Sequence, residues 1–331
     1  MAEKPYEPKT LQEAITYFSD LDNCLAYLVP RIWPDGVTCP GCGRKDAKFL
    51  DNQHRWQCKS VHAKRQFSVK VGTIFEDSPI PLEKWMPAVW ALVNDKNGIS
   101  SWELHRMLGV TQKTAWFMLH RIRLGLADKP DGTKIGNNEG GGGVEVDETF
   151  VGGKLQNMHK DRKLAYNARG GAKGKAIVMG MLDRDLREVR AKILPNVKRD
   201  TLQGEVLSNV KYGSRVFTDE WVGYDKLHWR FVHDVVNHME CYVNGQVHTN
   251  GIENFWSLLK RTLRGTYVAV EPYHLQRYVD EQVFRFNNRG GKKKEERVTD
   301  AQRFSLALSQ IVGKRLTYAE LTGKTGDATP F

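Results

Sequence analysis

Three carboxylates far apart in the chain carry the first chemical signal. Asp147 sits in the alternating run Val144-Glu-Val-Asp-Glu-Thr-Phe-Val151, and Asp219 closes Ser214-Arg-Val-Phe-Thr-Asp219. Glu253 opens a run in which Ile252, Phe255, Trp256, Leu259 and Leu263 recur at steps of three and four. These patterns predict a half-buried strand, a second strand and an amphipathic helix. Acids from separate elements repel one another where they meet unless cations lie between them, so convergence of the three favours a divalent metal site. Two Mg²⁺ (or Mn²⁺) ions held by Asp147, Asp219 and Glu253 would suit phosphodiester displacement, because such a pair stabilises both the attacking and the leaving oxygen. Ser257, Lys260 and Arg264 share the helix face of Glu253, and the two cations are placed to hold a neighbouring phosphate. A plainer reading stands beside this one: Asn250 is a good N-cap, and Glu253 three residues later would close a capping box.

A second group of residues is suited to a different metal. Cys39-Pro-Gly-Cys42 is a knuckle that lets two thiolates converge, and Cys58 follows a hairpin-like stretch from Phe49 to Trp56. Three thiolates begin a structural Zn²⁺ site, with His62 as the natural fourth ligand and His54 in reserve. The alternative is a degenerate ribbon held by packing alone. Five cysteines is an odd number, and Cys24 and Cys241 stand apart from the cluster, which suits a metal better than disulfides. Cys24 lies on the apolar face of a helical pattern over residues 10–30 and reads as core.

The elements that must position these groups follow in order. Phe67 to Gly72 alternates as a strand, and Ser78-Pro-Ile-Pro81 leads into a helix in which Pro87 lies in the first turns or kinks it. Residues 99–123 read as a helix-turn-helix: a helix from Ser101 to Leu108, a turn at Gly109, and a second helix capped by Thr111. Gln112, Lys113 and Trp116 lie near its leading end and Arg121 further along, as candidate DNA contacts. Residues 128–143 are polar and Gly-rich and read as a linker. Beyond it come strands at 144–151, 175–182 and 189–197, a helix from Asp200 to Val210, a strand at 214–219 and another from Phe231 to Asn237. That order is the order of a ribonuclease-H-like domain. The Lys- and Arg-rich stretch between Gly153 and Lys175 reads equally as a basic insertion over nucleic acid or as an ordinary loop.

The fold class expected is therefore α+β and multidomain: a small N-terminal zinc ribbon and helix-turn-helix, then a ribonuclease-H-like catalytic domain built on a mixed sheet. The boundaries expected are 1–76 for the first helix and ribbon, 77–127 for the helix-turn-helix, 128–143 for the linker, 144–291 for the catalytic domain and 292–331 for a charged and helical tail. Fifty Lys and Arg against 39 Asp and Glu give a net charge of +11, which favours a polyanionic partner. No apolar run approaches the ~20 residues that cross a bilayer, and an intracellular, cytoplasmic location is expected. Glu145 and Glu148 flank Asp147 and are expected to be solvated on the opposite strand face. His233, His238 and His248 read as hydrogen-bonded structure rather than as ligands.

Val-Asp147-Glu-Thr-Phe-Val-Gly-Gly-Lys154, Thr218-Asp219-Glu-Trp-Val-Gly-Tyr224 and His248-Thr-Asn-Gly-Ile-Glu253-Asn-Phe-Trp-Ser-Leu-Leu-Lys-Arg261 together resemble the DDE transposases of bacterial insertion sequences that carry an N-terminal zinc ribbon. His274-Leu-Gln-Arg-Tyr278, Phe286-Asn-Asn-Arg289, Gln66-Phe-Ser-Val and Gly72-Thr-Ile-Phe75 fit the same family, so the likeness runs from about Cys39 to Arg289. The resemblance implies a catalytic domain that binds terminal inverted repeats, cleaves the element's ends by metal-assisted hydrolysis and joins the 3′-OH to target DNA. It implies double-stranded DNA as partner, a homo-oligomer on paired ends, and association with the bacterial nucleoid. Asp147 and Asp219 match its first two acidic positions. Glu253 is expected as the third, with Lys260 as the following basic residue and Asn250 as a cap or outer partner. Ala63 stands where relatives often have their last ribbon Cys.

Overall fold

The computed structural model describes residues 6–127, 132–137, 141–152, 175–236, 248–290 and 297–324. Its contacts divide the chain into two compact units, residues 1–127 with 288–331, and residues 128–287. The basic stretch within 153–174, together with His238, Cys241 and the charge run up to Glu296, lies outside the described residues.

The first unit begins with α1 (Leu11–Tyr17) and α2 (Leu21–Ile32). The single helix expected over residues 10–30 is broken because Asp20 leaves the helical conformation and its carboxylate accepts from the Asp22 amide, which starts a new helix. Cys24 is fully buried in α2. A three-stranded antiparallel sheet follows, β1 (Lys48–Leu50), β2 (Arg55–Gln57) and β3 (Gln66–Phe67). The strand expected from Phe67 to Gly72 ends after Phe67. Val71 N turns back to the Ser68 carbonyl, and Thr73 Oγ1 donates to the Lys70 carbonyl, so local turns replace the ladder. Trp56 packs its ring 4.9 Å from Phe49 and 5.3 Å from Trp33, giving these very short strands an aromatic centre.

Then come α3 (Leu82–Asn94), which holds Pro87 inside it, α4 (Ser101–Leu108) and α5 (Gln112–Leu126). Ser100 and Glu103 form a capping box at α4, Gly109 takes φ 59° to turn the chain, and Thr111 caps α5. The chain's last stretch completes this unit. In α9 (Asp300–Ser309) Phe304 places its ring 5.5 Å from Phe18, 5.6 Å from Tyr27 and 5.0 Å from Trp90. A short α10 (Tyr318–Leu321) follows.

The second unit is built on β4 (Val144–Val151), β5 (Ala176–Asp183), β6 (Glu188–Leu194), β7 (Arg215–Asp219) and β8 (Val232–Val236), arranged β6-β5-β4-β7-β8. β6, β5 and β4 pair antiparallel, whereas β4, β7 and β8 run parallel. Side-chain alternation separates two cores. Val144 and Val146 join Met179, Met181 and Val216 under α6 (Arg199–Asn209). On the other face, Val178, Leu182 and Val189 pack against α7 (Asn250–Thr262) and α8 (Leu275–Asn287). With both faces covered, β5 reads as a nearly continuous apolar run. Gln276 Oε1 accepts from the Ile193 amide at 2.8 Å and Asn287 Oδ1 from the Val189 amide at 2.8 Å, so two α8 side chains occupy the outer edge of β6.

The Gly-rich stretch expected to remain an unpacked linker contributes to this unit. Ile135 is buried, bridges to Val210 and pairs with the backbone of Asn209 and Lys211. The Gly136 amide donates to Asp183 Oδ2 at 2.8 Å. Ile135 and the Gly136 amide thus tie the described part of the stretch to the sheet-bearing unit. No helix among the described residues is long and apolar enough to cross a membrane.

Candidate active site and metal centre

In the ribbon, Cys39, Cys42, Cys58 and His62 bring their ligand atoms within 4.8 Å of one another. Cys39 Sγ lies 3.4 Å from His62 Nε2, and Cys42 Sγ lies 3.5 Å from Cys58 Sγ. Two backbone bonds shape the cluster: Gly43 N donates to the Cys39 carbonyl, closing the knuckle, and Cys58 N to the Arg65 carbonyl, closing the loop that carries His62. A side chain on Gly41 would meet the His62 ring at 3.0 Å, so the glycine leaves room for the imidazole. The Arg44 amide draws the Cys42 thiol below its ordinary range, while burial raises that of Cys58. Three sulfurs and one imidazole nitrogen gathered within 4.8 Å of one another are a donor set that fits a structural zinc ion. His62, not His54, is the fourth donor; His54 lies 3.3 Å from Asp22 instead.

The acidic site is set by strand register. Val144 pairs with Val216 and Glu145 with Phe217 across parallel β4 and β7. The same offset carries Asp147 to the level of Asp219, on adjacent strands about 4.8 Å apart in a regular sheet. Paired residues stop at Glu145 and Phe217, so both aspartates stand where the carboxyl ends of parallel strands open, a usual place for an α/β ligand site. From the helical side, Trp256 Nε1 donates to Asp147 Oδ2 at 2.8 Å. Burial first, then Asp219 and Glu253 nearby, push the Asp147 carboxyl up to about 6, against the pull of the Trp256 bond. Glu148 is pushed up to about 8 by burial and then by Asp147 and Asp219.

Glu253 lies on the exposed face of α7, with Thr249 Oγ1 donating to its Oε1 at 3.2 Å. Among the described residues, the ribbon cluster is the one group of three or more potential ligands drawn within 4.8 Å. The three acids thus share one end of the sheet without closing to coordination distance. Ser257 and Arg264 are exposed and Lys260 half-buried on the same helix side. Arg264 belongs to a π turn, Leu263–Tyr267, that continues α7.

Three expectations around this site are corrected. The N-cap of α7 is Thr249, with Asn250 exposed in the first turn, so Asn250 and Glu253 form no capping box. Glu145 shares the Asp147 face rather than opposing it, because residues two apart in a strand point the same way. It is 1% exposed and bonded to Arg184 and the Ile252 amide. Glu148 does face the other way but is half-buried, hydrogen-bonded to the Tyr224 hydroxyl instead of water. Arg184, Trp256 and Tyr224 were missed as site partners. The spacing of Glu145 from Asp147 was the one signal that pointed to any of them.

The candidate DNA contacts divide. Lys113 is exposed, with Nζ 4.6 Å from the Tyr318 ring, while Gln112 donates to Ser101 Oγ at 2.9 Å and Trp116 lies half-buried against His120. Arg121 is only 3% exposed and donates to the carbonyls of Leu316 and Glu76, so it ties the first unit together rather than facing DNA.

Comparison with known proteins finds a family match over each of the two regions. A transposase zinc-ribbon domain matches residues 20–63, and an ISXO2-like transposase domain matches residues 140–287. The chain belongs to this family of transposases. A protein in transposable element ISH50 of Halobacterium salinarum is 28% identical over 244 residues, covering 70% of this chain and 79% of the relative. A transposase-like protein of Haemophilus influenzae is 34% identical over 102 residues, 30% of this chain and 82% of that protein. A chain of the simian T-cell lymphotropic virus intasome, solved by cryoEM with the PP2A regulatory subunit B56 gamma, matches 60% of this chain and 68% of its own. Its identity of 14% and TM-score of 0.29 support no inference.

Proposed function

We propose that the chain is the transposase of an insertion sequence that binds its terminal inverted repeats, cleaves the element's ends and joins the 3′-OH to target DNA. The observation that carries this reading is the β4 and β7 register, which sets Asp147 and Asp219 side by side at the open end of the sheet, with α7 and Glu253 fastened to Asp147 through Trp256. The donor set fits a pair of Mg²⁺ or Mn²⁺ ions: three carboxylates at one end of the sheet, one of them pushed up to about 6 by burial and by its acidic neighbours, a repulsion that a bound cation would relieve. Asp147, Asp219 and Glu253 would hold the ions, which when bound offset charge on the attacking and leaving oxygens. Trp256 fixes one Asp147 oxygen. Lys260 and Arg264 bind the phosphate beside the scissile bond. Lys113 and the leading end of α5, with the ribbon, hold the end sequence, and two copies act on paired ends in the cytoplasm at the nucleoid.

Incubation with a duplex carrying the element's end and Mg²⁺ should release a cut end, and Asp147→Asn or Asp219→Asn should reduce cutting to background with end binding retained. Retained cutting in either variant removes the assignment of the acids. Tight end binding with no metal-dependent cutting by the native chain would identify a DNA-binding derivative of a transposase instead.

A further inference from the structure

We propose that Glu145 and Arg184, with His248, form a clasp that positions the acid-bearing elements relative to one another, so that they act as positioning residues for the cleavage reaction. This rests on the function proposed above. Arg184, just beyond β5, touches the approach to all three acids. Its Nε donates to Glu145 Oε1 at 2.7 Å, two residues before Asp147. Its guanidinium lies 3.9 Å over the ring of Phe217, two residues before Asp219 and the register partner of Glu145. Its Nη2 reaches His248 Nδ1 at 3.0 Å and also donates to the His248 carbonyl, five residues before Glu253.

Glu145 completes the clasp from its other oxygen. Oε2 accepts from the Ile252 amide at 2.8 Å, one of the orphan donors in the first turn of α7. The helix has need of it, because its own N-cap, Thr249, makes no side-chain cap bond and instead donates to Glu253. A strand carboxylate therefore caps the helix that carries the third acid, and a negative charge at a helix N-terminus is favourable. The approach depends on Gly251, where a Cβ would stand 2.3 Å from Leu182 Cδ2 and 2.8 Å from Glu145 Oε2. A carboxylate this deeply buried is expensive unless paired, and removing one partner strands the other. Glu145 thus holds α7 in one place on β4 only while Arg184 neutralises it, and Arg184 is itself held flat by Phe217.

The test uses the full chain with Mn²⁺ as probe. In metal-free protein, Glu145→Ala should speed amide exchange in a peptide spanning 248–256 by tenfold or more while leaving β5 protected. Glu145→Gln, which keeps an acceptor but loses the charge, should weaken Mn²⁺ binding in calorimetry by about 10–100-fold, the range found for partners that orient metal ligands. Its end cleavage should recover at high Mn²⁺, end binding should stay within about twofold, and Arg184→Lys should behave similarly because an ammonium cannot form the same fork. Asp147→Asn, run beside them, should not recover at any Mn²⁺ concentration. Native Mn²⁺ affinity and cleavage in both Glu145→Gln and Arg184→Lys, with Asp147→Asn inactive, would overturn the clasp alone. Cleavage surviving in Asp147→Asn would overturn the function and the clasp with it. Should Glu145→Ala fail to fold, the melting curves and Mn²⁺ isotherms of the other two variants decide the question.

Discussion

Trp256 donates its indole hydrogen to Asp147 across a gap left open by Gly180. Gly180 is the register partner of Asp147 on β5, and a Cβ there would stand 2.7 Å from the Trp256 ring. The absence of one methyl group therefore admits the ring that orients the first acid. Trp256→Phe keeps most of the buried area and loses the donor. We expect it to lower metal-dependent cleavage about tenfold, as for partners that orient metal ligands, with a small change in melting temperature. Gly180→Ala should lower both cleavage and melting temperature, because the contact is with a rigid ring. Cleavage rates and melting curves that leave Gly180→Ala indistinguishable from the native chain would show that the approach is not tight.

The acidic site should destabilise the metal-free protein at high pH. Asp147 and Glu148 have carboxyls raised to about 6 and about 8 in the folded chain, against ordinary values of 3.8 and 4.5. The folded state therefore holds protons that the unfolded state has lost. Their contribution is fully present below about pH 4 and disappears as pH rises through 6 and then 8. Asp147→Asn and Glu148→Gln should each raise the melting temperature of metal-free protein at pH 8 and change it little at pH 3.5. A melting temperature of the native metal-free protein that does not fall across that interval would contradict the electrostatics.

Zinc should be structural and stoichiometric. The ribbon's strands are three, three and two residues long, too short to hold a sheet without help. Metal analysis of purified protein should give about one zinc per chain, and His62→Ala should lose it together with the ordered fold of residues 39–67. Exchange-resistant amides in that segment after chelation would mean that packing around Trp56 suffices.

Arg121 and Lys113 should separate stability from DNA binding. Arg121→Met removes donors to two backbone carbonyls, of Leu316 and Glu76, and should lower the melting temperature markedly while leaving the salt dependence of end binding unchanged. Lys113→Ala should do the reverse, weakening binding and reducing its salt slope by about one. Binding by salt titration and thermal melts of the same two variants test both halves.

What the sequence disclosed follows from how each signal is written in it. The β4 alternation, the apolar run of β5 and the stripe of α7 each report burial by local spacing, and all three elements lie within a residue or two of where the pattern put them. The ribbon ligands were equally legible, since a knuckle is a local turn. Glu145 was misread despite a local clue: its two-residue spacing from Asp147 fixes the face, yet its burial depends on Arg184 and α7, some 40 and 107 positions away. Arg121 looked like a surface cation because the carbonyl that claims it comes from Leu316, near the other end of the chain. Ile135 shows the same effect in reverse, a lone apolar residue whose bridge partner, Val210 at the end of α6, is distant in sequence.

Phe304 fills an aromatic pocket made by Phe18, Tyr27 and Trp90, residues synthesised more than two hundred positions earlier. The ribosome must therefore deliver the whole sheet-bearing insert before the first helices receive their last ring. During that interval the early pocket stays open to water or to chaperones. A copy of the gene cut short after α8 would leave it so permanently, making a truncated product prone to clump even with its acidic residues intact.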